Sequence, residues 1–284
     1  RAQRMEKSMG KNWGDLFLSA AVRGAASLSV FLLLGMTAYV FFRGFGMLDA
    51  SFFTSVTSRY RQSVGIAGNL VNTIYILFLA LFIAVPVGVG AAIYLNEYAK
   101  SGPLTHIAAF CFDVLSGIPS VIFGLFGMTF FGVTLGLGYS ILNGAMTLAV
   151  MILPLIVKCA KEALSAVPEG YVDGALGMGA TKWEMIRTVL LPAALPGIWT
   201  GLILASGRIV GESAALLFTA GSARLLPGSG IMGMIEKIRE SGGTLAVELY
   251  LKMQSGEYET AFGIGCVLLM TVFLLEIVVK VICR

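Results

Sequence analysis

Arg208 stands where a chain this apolar has least use for a charge. It lies in the run Ala205-Ser206-Gly207-Arg208-Ile209-Val210-Gly211-Glu212-Ser213, inside a hydrophobic stretch over 198–218. A guanidinium offers a planar fork of donors that suits an oxyanion. Counted from Gly197 at about 1.5 Å per residue, Arg208 falls roughly 16 Å into the stretch, near the middle of a membrane. Glu212 follows four residues on, and this spacing puts both charges on one helix face. A carboxylate there would limit how tightly an anion is held and could accept a hydrogen bond from a protonated oxygen of that anion, while Ser213 adds a hydroxyl. Intramembrane charges line a pathway or pair with each other. The competing reading is a structural ion pair between spans, because Gly207, Gly211 and Ser213 also permit close helix packing. Ser116 and Ser120 flank Gly117 and Pro119 in a second apolar stretch. A helix broken there would line a cavity and turn backbone N–H groups toward an anion; the alternative is a plain proline kink.

Other chemistries find no footing. Cys111, Cys159, Cys266 and Cys283 are scattered, and His106 is the single histidine, so neither a zinc site nor a catalytic triad can be assembled. No GxxxxGK[ST] loop exists to cradle phosphates: Gly10-Lys11 is followed by Asn12. Of the 284 residues 57% are hydrophobic and only 13% charged, against roughly a quarter charged in a soluble domain. Such a chain cannot cover its surface with polar groups, which excludes a cytoplasmic enzyme, a disordered chain and a secreted disulfide scaffold. A net charge of +4 is too small to argue for nucleic acid.

The elements that must position these residues are helices spanning a lipid bilayer. About 20 apolar residues cross its core, and six stretches qualify: 25–42, 71–95, 107–131, 141–157, 198–218 and 262–282. They are continuous rather than alternating, so a barrel is excluded. The reading is an all-α polytopic membrane protein, with residues 25–284 as one transmembrane domain. The first stretch is read as a retained span rather than a signal peptide, since no small-residue cleavage site follows it. The chain opens on Arg rather than Met, which reads as an incomplete or processed N-terminus. Lys and Arg favour the side bearing the N-terminus, twelve against seven, so both termini are expected in the cytoplasm. Residues 1–24 read as a cytoplasmic amphipathic segment, with Trp13, Leu16 and Phe17 beside Arg4, Lys7 and Lys11.

The loop over 158–197 is too polar for lipid and too patterned for a random connection. Residues 169–176 predict a short helix ended by Gly177 and Gly179. Thr181 and Glu184 predict a capping box opening a second helix over 182–191, which Pro192 and Pro196 should end. Here the chain resembles the permeases of ABC importers, whose cytoplasmic motif reads EAA, three residues, G, nine residues, I-x-L-P. The matching positions are Asp173-Gly174-Ala175, then Gly179, then Val189-Leu190-Leu191-Pro192, with Glu169 at the head of the first helix. The departures are Asp for Glu, Gly for Ala and Val for Ile; Gly softens a helix by roughly 1 kcal/mol against Ala. The resemblance implies a type I importer permease fold in which this elbow docks on a separate ATPase. ATP and Mg would then be bound by that partner and no cofactor by this chain.

From about residue 65 to the C-terminus the chain further resembles the phosphate-specific, PstA-type branch. The stretches carrying this are Asn96-Glu97-Tyr98, Ser116-Gly117-Ile118-Pro119-Ser120, Gly211-Glu212-Ser213 with Leu216-Leu217-Phe218-Thr219-Ala220-Gly221, and Thr244-Leu245-Ala246-Val247-Glu248-Leu249-Tyr250. Ser213 and Ala215 stand where that branch commonly has Thr and Pro. What it implies is a transport subunit rather than an enzyme, in a bacterial plasma membrane. It would pair with a PstC-like permease, a PstB-like ATPase dimer and an external PstS-like phosphate-binding protein. The loop over 219–261, with Arg224, Lys237 and Arg239, is then the expected docking surface for the binding protein. The rivals are a permease for another oxyanion and an ATP-independent channel or scaffold.

Overall fold

The computed structural model describes residues 13–58, 63–99 and 102–282. Five helical stretches are long and apolar enough to cross a membrane: Gly14–Met47, Ala67–Tyr98, Ile141–Ser165, Lys182–Val210 and Tyr258–Val278. A bent pair, Thr105–Gly117 and Ser120–Thr134, with its axes at 103°, is the sixth candidate. In chain order the helices are α1 (Trp13–Gly44), α2 (Ala50–Thr54), α3 (Ala67–Ile93), α4 (Pro103–Gly117), α5 (Ser120–Phe126), α6 (Ile141–Ser165), α7 (Glu169–Gly177), α8 (Lys182–Met185), α9 (Leu191–Val210), α10 (Ala214–Thr219), α11 (Gly230–Lys237), α12 (Leu245–Gln254) and α13 (Tyr258–Ile282). Wide π-type turns over Tyr94–Tyr98, Gly127–Thr134 and Ile186–Leu190 extend α3, α5 and α8. A small antiparallel hairpin, β1 (Val56–Ser58) and β2 (Ser63–Ile66), precedes α3.

α6 is the central post. Ile141, Leu148, Ile152 and Ile156 on it are buried against Ile76 and Ala80 of α3, Ala205 and Ile209 of α9, and Leu216 of α10. Small residues let backbones approach closely where the hydrophobic effect gives no push. Gly197 and Gly201, four apart on α9, meet Ala163 and Cys159, four apart on α6; a Cβ on either glycine would sit 2.6 Å from its neighbour's Cβ. α1 is peripheral and docks on α13, where Tyr39 meets Phe262 edge-on at 5.7 Å and Cys266 Sγ donates to the Val40 carbonyl at 3.2 Å. On the opposite end from α7, buried Asn69 and Asn72 of α3 donate to the carbonyls of Gly243 and Ala223, and Thr73 Oγ1 accepts from Leu245 N at 3.0 Å. These bonds fasten the segment carrying α11 and α12 onto the bundle.

Four boundaries differ from the sequence expectations. Residues 13–24 are the first turns of α1 rather than a separate segment, because the helix runs on through Gly24; residues 1–12 lie outside the described residues. The stretch over 107–131 takes the broken form of the two readings left open and is two helices, since Ile118 and Pro119 are both extended (ψ 131 and 138) and Pro restricts the residue before it. α6 runs past 157 to Ser165, so 158–165 belong to a span and not to the loop. Pro192 and Pro196 do not end the second loop helix, and α8 continues into α9. The wide turn over Ile186–Leu190 gives the Pro192 ring room where a regular turn would clash.

Candidate coupling and pathway sites

The elbow is built from local signals. α7 ends at Gly177, and Gly179 turns the chain at φ +90°, a left-handed conformation that glycine adopts without strain. Thr181 Oγ1 then accepts from Glu184 N at 3.3 Å, while Glu184 Oε2 accepts from Thr181 N at 2.8 Å, completing the expected capping box. Ala175 is buried with Met185, Ile186 and Leu190 against Ala92, Ala160 and Leu164, so the elbow's inner side is a small apolar core shared with α3 and α6. Its outer side keeps Tyr171, Leu176, Met178 and Trp183 exposed, Met178 at 87%. Of the motif residues, Glu169, Asp173, Gly174, Gly179 and Pro192 are exposed, Leu191 is half-buried and Ala175 is the packing residue.

The second site is the break after α9. Arg208 sits in that helix's last turn and is exposed; among the described residues it makes no ion pair. The regular helix stops at Val210, Glu212 N still donates to the Ile209 carbonyl at 3.2 Å, and no ion pair joins Glu212 to Arg208 among the described residues. Instead Glu212 Oε1 accepts from Ala215 N at 3.1 Å and caps α10, because Ser213 at the N-cap position makes no cap bond. From the true start of α9 at Leu191, Arg208 lies about 26 Å along the axis rather than the shorter distance counted from Gly197.

The third site is the corner between α4 and α5. Ser116 lies in the last turn of α4 with its hydroxyl donated to the carbonyls of Phe112 and Asp113 at 2.8 and 2.9 Å. It lines a cleft of about 580 Å³ between α4 and α6, with Asp113, Lys158, Lys161 and Glu162 among the other walls. Ser120 opens α5 across the 103° corner. The two breaks meet through their outer halves: Gly124 of α5 lies against Ala215 of α10, and Gly127 against Thr219. No hydrogen bond among the described residues joins Ser116 or Ser120 to Arg208 or Glu212.

Two of the three basic residues expected on a docking surface are committed inside the chain. Arg224 Nε donates to the buried Glu248 Oε2 at 2.8 Å, and Lys237, with its side chain fully buried, reaches Glu240 at 3.2 Å. Arg239 alone is exposed without an ion pair among the described residues. His106 lies at the start of α4, with Nδ1 3.0 Å from the Gly102 carbonyl. Sequence reading passed over Glu276, an acid within the apolar α13 that lines a narrow groove of about 110 Å³ with Gly207 of α9. Its signal was present, since an ionisable residue in a span marks a candidate by default.

The family described as "Binding-protein-dependent transport system inner membrane component" matches residues 84–284. The "Probable ABC transporter permease protein YqgI" of Bacillus subtilis is 40% identical over 69% of this chain and 67% of its own length. The "Phosphate transport system permease protein PstA" of Xylella fastidiosa is 36% identical over 63% of this chain and 62% of its own length. A crystal structure of a bacterial alginate ABC transporter, bound to its alginate-loaded periplasmic protein, contains a chain of the same fold. The TM-score is 0.67 at 15% identity, over 97% of this chain and 98% of that one.

Proposed function

Because the chain belongs to the family of binding-protein-dependent transport inner membrane components, we propose that it is one permease of an ATP-driven phosphate importer. The observation that carries this reading is the elbow: a capped, glycine-hinged projection with an apolar tip, continuous through α8 with the helix bearing Arg208. A tip of Tyr171, Leu176, Met178 and Trp183 has the character of a docking surface, since aromatic and Met side chains dominate interface cores. It would sit in a groove on a PstB-like ATPase that binds ATP and Mg. The inner side of the elbow touches α3 and α6, so a push on the tip reaches the spans.

Phosphate is favoured by the relatives named for phosphate transport and by the free guanidinium of Arg208. Arg208 would meet the anion from the end of α9, with Ser213 beside it and Ser116 and Ser120 at the facing corner. A PstC-like permease would complete the pathway, a PstS-like protein would deliver phosphate from outside, and both termini would lie in the cytoplasm. The solute is moved and not changed. The test is uptake of labelled phosphate by the intact complex in proteoliposomes with ATP inside, challenged with unlabelled sulfate, molybdate and a phosphonate. Competition by phosphate alone supports the reading; competition by another oxyanion in its place reassigns the cargo, and uptake without ATP points to a channel.

A further inference from the structure

The geometry points to Asn96-Glu97-Tyr98 as a transmission clamp that ties the start of the elbow's second helix to the ends of α3 and α6. This inference rests on the ATP-coupled permease reading and not on the identity of the cargo. The three residues occupy the wide turn that closes α3. Lys182, the first residue of α8, meets all that this turn offers a cation. Its Nζ donates to the Glu97 carbonyl, lies 3.7 Å from the Glu97 carboxylate and stands 4.8 Å from the centre of the Tyr98 ring. Asn96 completes the link: its Oδ1 accepts from Ser165 Oγ, the last residue of α6, at 2.7 Å, and its Nδ2 donates to Glu97 Oε1 at 2.9 Å. Five side chains thus join three helix ends that the chain keeps far apart.

The contact is poorly suited to stabilising the fold and well suited to fixing an angle. An exposed ion pair adds little to stability, and the Lys182 side chain is 45% exposed. The apolar cluster of Ala92, Leu164, Ala175 and Met185 beneath it already holds these elements together. Apolar contact is non-directional, however, and lets packed helices rock. A cation fixed by a carbonyl, a carboxylate and a ring face sets the angle between α8 and α3, so that tilting of the elbow is passed on and not absorbed.

The experiment uses the complex purified through this chain in nanodiscs. It follows backbone hydrogen exchange of the elbow (166–190) and of the inner end of α3 (88–98) before and after ATP with vanadate. In the wild type both segments should change. In Lys182→Met the change should stay in the elbow, binding-protein-stimulated ATPase should fall about five- to tenfold, and the melting temperature should hold; Lys182→Arg should restore transmission. Tyr98→Leu provides a second variant should Lys182→Met disturb assembly, and it should show the same confinement in weaker form. An undiminished change at 88–98 in Lys182→Met overturns the clamp, as does loss of ATPase co-purification in both variants, which would make the contact merely structural. No ATP response in the wild-type elbow would instead overturn the importer reading itself.

Discussion

The turn at Gly179 and the break at Gly211 both stop a helix at glycine, yet they leave their charged neighbours in opposite states. At Gly179 the backbone is left-handed and the helix that follows caps itself, with Thr181 and Glu184 exchanging bonds. At Gly211 the backbone stays right-handed (φ −82°, ψ −6°), and α10 borrows its cap from Glu212. Free N–H groups at a helix start need acceptors, and in each place the nearest acid supplies one. At the elbow this locks the projection. At the break it engages the one carboxylate that the residue spacing offered to Arg208, and the guanidinium is left without an ion pair among the described residues.

Arg208→Ala is the sharpest way to break this contrast. If Arg208 serves an anion and not a partner side chain, phosphate uptake falls roughly 10- to 100-fold, the worth of a hydrogen bond to a charged group. Assembly and melting temperature stay unchanged; a drop in melting temperature would restore the structural ion pair. Gly179→Val forces a β-branched residue to φ +90°, a strain of roughly 1–3 kcal/mol. It should loosen the ATPase during co-purification, and unchanged recovery would show that the turn relaxes freely. Thr181→Ala and Glu212→Ala each remove a cap, at about 1 kcal/mol. The first should speed amide exchange only in α8 and the second only in α10, so crossed effects would mean that the two sites are not independent.

The smallest expected effect is a pH response outside the membrane. Lys252 donates to Glu257 at 2.5 Å and holds its carboxyl below the ordinary glutamate value. A depressed acid contributes its stabilisation above the unfolded pKa and loses it as pH falls through the folded one. The junction between α12 and α13 should therefore become more protease-sensitive on acidification below the usual carboxylate range. Lys252→Met should remove that dependence, and a variant that keeps it would assign the response to another group.

Most of the elbow was legible because its signals are local: Gly179, the spacing of Thr181 and Glu184, and the motif positions from Asp173 to Pro192. The spans were legible through hydropathy, while Gly117 and Pro119 offered a break or a kink without giving the 103° angle. What failed depended on how one helix hands over to the next. Pro192 and Pro196 read as stops because a wide preceding turn carries no residue signature. Arg208 and Glu212 read as a candidate pair, but the regular helix ends before Gly211 and the Glu212 carboxylate turns to Ala215 N instead. Ser165 and Asn96 lie 69 residues apart and meet only after α3 and α6 pack side by side. Lys237 looked like a surface cation because nothing in its neighbours foretold that it would be covered.

The glycine seam between α6 and α9 restricts how such a molecule can change shape. With Gly197 and Gly201 seated on Ala163 and Cys159, the two rods are too near to slide without first being prised apart. They must travel as a single stiff strut. A change of shape then falls to the breaks outside the strut, at Ile118-Pro119 between α4 and α5 and at Gly211-Glu212 after α9, with the short helices α5 and α10 beyond those joints.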